Sequence, residues 1–127
     1  MLQKTQELSQ QIAEAASQRV PPGWVTATVK MLMLSGYAEM VSEYAPETGG
    51  APISFAGGRE AYQLFKQLRE SMYEDVGAAW YVADLSLTAD GSFKFQYDYE
   101  DTTQFETKPS SARNQSDLQR YPRKPKA

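Results

Sequence analysis

Apolar positions early in the chain (Leu8, Ile12, Ala15 and Ala16) recur three or four apart among glutamines and serines. That is the spacing of one buried helix stripe, and Pro21-Pro22-Gly23 ends the helix it predicts. Beyond it the period drops to two. Segments 24–34 and 37–44 read as strands on either side of Ser35-Gly36, a two-residue loop whose glycine suits a tight hairpin turn. Pairing across that turn sets Met33 against Ala38, Met31 against Met40, Val29 against Ser42 and Ala27 against Tyr44, so one side of the ribbon is largely apolar. The other side pairs Leu34 with Tyr37, Leu32 with Glu39, Lys30 with Val41 and Thr28 with Glu43, a mixed face expected to be wetter.

Residues 45–58 are rich in glycine and proline and read as a loop with a short strand at 53–55. Over 59–76, Ala61, Leu64, Phe65, Leu68 and Met72 make the clearest helical stripe, and Gly77 is a natural stop. A second hairpin follows at 80–88 and 92–100. A two-residue Asp90-Gly91 turn mixes apolar and polar residues on both faces. A three-residue loop, Ala89-Asp90-Gly91 with Gly91 left-handed, instead pairs Leu87 with Phe93, Leu85 with Phe95, Ala83 with Tyr97 and Tyr81 with Tyr99. The second register is the expected one. It places Trp80 opposite Glu100, Val82 opposite Asp98, Asp84 opposite Gln96 and Ser86 opposite Lys94 on the outer face.

Together these elements predict an α+β domain over residues 1–105. An antiparallel sheet of two hairpins, four to five strands in all, carries an N-terminal helix and one long central helix on one face. From position 106 to 127 Ser, Lys, Arg and Pro dominate, and Leu118 and Tyr121 are the large apolar residues, so a mobile tail is expected unless something pins it.

Charge divides the chain at the same place. Up to position 105 there are seven basic and fourteen acidic residues, a net of −7; beyond it six basic and two acidic give +4, consistent with −3 overall. An acidic body repels phosphate backbones and attracts basic surfaces, which argues against nucleic acid as the ligand and for a basic protein. No membrane span or leader is expected, because the longest nearly apolar run, 24–34, falls short of the ~20 residues a spanning helix needs. The chain contains no cysteine, which suits a reducing cytoplasm.

The sequence also contains no histidine, so the commonest general base, Ser-His and Cys-His nucleophile pairs, and imidazole or thiolate metal sites are excluded together. Carboxylates remain, densest at Asp98-Tyr99-Glu100-Asp101, but on a strand Asp98 and Glu100 point one way and no third ligand is in view. A solvated strand face accounts for them. Gly49-Gly50 and Gly57-Gly58 lack the Gly-Lys-Ser/Thr of a phosphate loop. The expectation is a protein with no catalytic residues, no cofactor and no metal.

Three further segments carry a family resemblance: Pro22-Gly23-Trp24 entering the first strand, Tyr62-Gln63-Leu64-Phe65-Lys66-Gln67-Leu68-Arg69 in the long helix, and Trp80 ahead of a hairpin ending Phe93-Lys94-Phe95-Gln96-Tyr97-Asp98-Tyr99. With the tail motif Asp117-Leu118-Gln119-Arg120-Tyr121-Pro122-Arg123, their order and spacing resemble the YezG-like family of bacterial immunity proteins. The resemblance implies a cytoplasmic antitoxin without enzymatic activity that binds a cognate toxin domain, frequently a nuclease. One departure is that the chain stops at Lys124-Pro125-Lys126-Ala127, where relatives often continue with an apolar segment.

If the outer sheet face binds the partner, the expected contact residues are Trp80 as anchor with Asp84, Asp98, Glu100 and Asp101, and Glu39 and Glu43 as a second acidic group. A non-catalytic adaptor domain of a larger complex is the rival reading. A small-molecule pocket between helix and sheet is disfavoured by the bulky core residues.

Overall fold

A computed structural model describes residues 2–34, 37–100 and 121–122. The elements run in the order α1 (Leu2–Ser17), β1 (Trp24–Leu34), β2 (Tyr37–Pro46), β3 (Ile53–Ser54), α2 (Arg59–Val76), β4 (Val82–Thr88) and β5 (Phe93–Asp98). The strands form one antiparallel sheet in the order β3-β2-β1-β4-β5, so β1 is central and joins the two hairpins. This is the expected α+β architecture.

Both hairpins have the register that puts their apolar residues together on one face. Met31 pairs with Met40 and Val29 with Ser42 in the first; Leu87 pairs with Phe93 and Leu85 with Phe95 in the second. The turn at Ser35-Gly36 lies outside the described residues. Gly91 has φ +99°, the left-handed geometry that a three-residue loop demands. Asp90 accepts hydrogen bonds from the Ser92 N–H at 2.9 Å and the Thr88 hydroxyl at 2.7 Å, which fixes the loop.

The stripe read from the sequence of α2 faces the sheet, and the helix stops where Gly77 takes the left-handed conformation and donates to the Tyr73 carbonyl at 2.7 Å. Leu8, Ile12 and Ala16 of α1 and Phe65, Leu68 and Met72 of α2 bury one core with Val29, Met31, Leu85 and Leu87 of the sheet. Both helices therefore cover the same face.

The opposite face is not uniformly wet. Leu32, Leu34, Tyr81 and Val82 form a second buried cluster with Tyr37 against it. The mixed hairpin face expected around Leu32 and Leu34 fails at this end because β4 sets Val82 beside Leu32, joining residues far apart in sequence into one apolar patch.

Candidate functional site

On the outer face, β4 contributes Asp84, and the end of β5 contributes Gln96 and Asp98. Asp84 faces Gln96 across the ladder, and Asp98 sits one alternate position further along, opposite Val82. The Glu100 N–H donates to the Asp98 carboxylate at 2.9 Å, a local turn that ends β5 and holds two acidic residues at its mouth. Asp84, Asp98 and Glu100 line one open recess of about 470 Å³ with Gln96, Tyr97 and Tyr99. Burial pushes the Tyr97 hydroxyl up to about 12, against a Ser9 hydrogen bond that lowers it, and burial also raises Tyr99. Both phenols stay neutral. Their rings pack toward the helix-covered core, so what the recess presents on the outer face is the carboxylates with Gln96, a lining that suits a cationic side chain.

Of the other expected contact residues, Glu39 and Glu43 lie on β2 in the same outer-face phase, opposite Leu32 and Thr28 of β1. Two strand spacings, ~10 Å, separate β2 from β4, so they form a separate acidic row. Lys30 lies between the groups, opposite Asp84. Asp101 is outside the described residues.

Trp80 is not on the outer face. It is fully buried in the main core, with its ring 6.4 Å from Phe65 and 6.0 Å from Tyr97. Strand alternation does not extend back to it. Tyr81 donates to the Asp98 carbonyl at 2.7 Å while Val82 is the register partner of that same residue. Two residues against one is the arrangement of a β-bulge, which turns consecutive side chains to one side. Tyr81 and Val82 accordingly both enter the outer cluster, and Trp80 swings to the helices. The expected pairings of Trp80 with Glu100 and Tyr81 with Tyr99 are replaced, and an exposed tryptophan anchor is ruled out.

A feature the sequence reading missed sits behind Trp80. Arg69 of α2 is buried at 3% exposure, with its guanidinium 5.8 Å from the Trp80 ring and 5.3 Å from the ring of Tyr121. Tyr121 also packs edge-on to Tyr73 at 5.1 Å, and its hydroxyl lies 3.3 Å from Glu70 Oε1. The Tyr73 hydroxyl donates to the Pro122 carbonyl at 2.6 Å. These contacts hold the described part of the tail against α2. The available signal was the placement of Arg69 directly after Leu68 in the apolar stripe, together with a tyrosine in an otherwise polar tail.

Among the described residues no group of three or more acidic side chains is arranged to hold a metal ion, and no helix is long and apolar enough to cross a membrane. The description of the YezG-like immunity proteins matches residues 55–127, more than half of the chain. The chain belongs to the YezG-like immunity protein family. No curated protein matches it.

The YezG-like match spans α2, β4, β5 and the tail. It takes in Arg69, Trp80, Asp84, Asp98, Glu100 and Tyr121, and leaves Glu39 and Glu43 outside. Immunity proteins of this kind are generally non-catalytic, and the family implies a protein toxin as partner. Both the recess and the tail contact therefore belong to the part of the chain that carries the family match.

Proposed function

We propose that the chain is a cytoplasmic, non-catalytic immunity protein that binds a cognate secreted toxin domain, a nuclease with a basic cleft, and occludes its active site or substrate path. The observation that carries this reading is the recess walled by Asp84, Asp98 and Glu100 within the family-matched segment. Nuclease clefts concentrate positive charge for phosphates. An acidic recess complements such a cleft and accelerates encounter by electrostatic steering.

The test is to purify the chain with the toxin domain encoded beside it and to measure association at low and high salt. The variant is Asp98→Lys combined with Glu100→Lys. The reversed pair is expected to associate more slowly than the parent, chiefly at low salt, because rim charges act on the on-rate. Equal rates at both salt concentrations would remove the recess from the binding site. Failure of the parent to bind or neutralise the domain would remove the immunity reading, and turnover of nucleic acids by the purified chain would refute its non-catalytic part.

A further inference from the structure

Among the described residues the sheet ends on β5. Its other border is the two-residue β3, whereas β5 runs six residues, and among the described residues no strand lies beyond it. The phase of the ladder decides which main-chain groups point outward. Thr88 donates to the Ser92 carbonyl at 3.0 Å, so Ser92 and, by alternation, Lys94, Gln96 and Asp98 turn their N–H and C=O groups toward β4. Phe93, Phe95 and Tyr97 turn theirs to the outer edge. Protein edges of this kind are commonly blunted by proline, by several charges or by a bulge within the strand. In β5 such devices are limited to one charge near each end, Lys94 and Asp98, and the strand contains no proline.

The two ends of this edge differ in chemistry. At the start, Phe93 is 41% exposed and borders a recess of about 350 Å³ between the hairpin turn and the Ala13, Glu14 and Ser17 side of α1, on the helix-covered face. At the end, on the opposite face, lies the acidic recess of Asp84, Asp98 and Glu100. Phe93 and Asp98 are five positions apart, an odd number, so an added strand that presents one side chain inward at Phe93 presents another outward at Asp98.

Resting on the immunity reading above, we infer that the toxin domain adds a strand to the β5 edge. Main-chain hydrogen bonds to Phe93, Phe95 and Tyr97 provide the docking, as in other cases of strand addition. The incoming strand carries an apolar residue for the recess beside Phe93 and, about five residues away, a lysine or arginine for the acidic recess. The span is ~17 Å. The acidic end selects a basic toxin strand over a neutral one, and the open main-chain edge supplies affinity that does not depend on the partner's side chains.

Amide hydrogen exchange resolved by residue tests this on the full chain, alone and with the adjacent-encoded toxin domain whose reaction has been silenced by substitution. The expected result is new protection at Phe93, Phe95 and Tyr97, with little change at Lys94, Gln96 and Asp98, which are already paired to β4. Phe93→Pro removes an outward donor without removing a β4–β5 hydrogen bond and should weaken binding roughly tenfold while the remaining hairpin amides stay protected. If the toxin domain is bound and neutralised with these amides unchanged and Phe93→Pro binding like the parent, strand addition is wrong and the immunity function stands. Protection of the same amides that rises with the concentration of the chain alone would assign the edge to a second copy and overturn the inference. A toxin domain that neither binds nor is neutralised removes both readings.

Discussion

Arg69 Nε donates to the main-chain carbonyl of Trp80 at 2.6 Å while the guanidinium of the same residue rests over the Trp80 indole. One side chain thus satisfies the backbone at the bulge and stacks on the ring that the bulge turns inward. Arg69→Met keeps much of the volume but leaves the Trp80 carbonyl without that donor. A loss of about 2 kcal/mol or more in denaturant unfolding is expected. Arg69→Lys should recover little of it, because a lysine lacks the planar fork that hydrogen-bonds and stacks at once.

Substitutions at Trp80 should behave as core changes. Trp80→Ala is expected to cost about 3–5 kcal/mol. The indole N–H, however, is buried without a hydrogen-bond partner. Trp80→Phe removes that donor along with some volume, so its cost should stay below about 1.5 kcal/mol in the same unfolding measurement. Toxin binding by Trp80→Phe should match the parent. A large binding defect in a folded Trp80→Phe protein would restore the interface role that burial denies.

Tyr121 and Arg69 should be energetically coupled. In a double-mutant cycle on Tyr121→Ala and Arg69→Met, the two unfolding losses should fall short of additivity by about 0.5–1 kcal/mol, since each removes the same cation–ring contact. Strict additivity would mean that the tail contact does not persist in solution.

Gly91→Ala tests the hairpin turn. An added Cβ at this position meets no atom within 4 Å, so the cost comes from the left-handed backbone alone. About 1 kcal/mol of destabilisation is expected, measured by thermal or chemical unfolding.

Tyr97 sets an alkaline limit. Its hydroxyl is raised from 10.0 to about 12, chiefly by burial, so the folded state holds this proton more tightly than the unfolded chain. The associated stability is complete below pH 10 and is lost as pH rises toward 12. Tyr97→Phe should flatten that part of the stability profile, and an absorbance titration should lose a late-ionising tyrosine in that variant relative to the parent.

Local pattern was enough to read most of the fold. The stripe of α2, its stop at Gly77 and both hairpin registers follow from side-chain alternation and turn chemistry, because each relates residues that are close in sequence. The readings that failed depended on partners far along the chain. Leu32 and Leu34 are buried with Tyr81 and Val82 through the β1–β4 pairing, and Trp80 departs from its assumed face at a bulge that leaves no mark in the order of residues. For the candidate site, the grouping of Asp84, Asp98 and Glu100 around one recess was legible because they share one hairpin and one face. The contact between Arg69 and Tyr121 was not, since it joins positions 52 apart.

The strand order has a kinetic side. Each hairpin closes over a short loop, but the sheet becomes one body when β1 meets β4, whose partners Ala27 and Leu87 are 60 residues apart. That closure carries most of the loop entropy, so folding should be limited by docking two preformed halves rather than by forming either. It also means that the family-matched half, from position 55 onward, lacks the strand that covers the inner border of β4. Expressed alone it would expose that border, whereas mixed with a fragment ending before α2 it should assemble, with a rate that rises with fragment concentration.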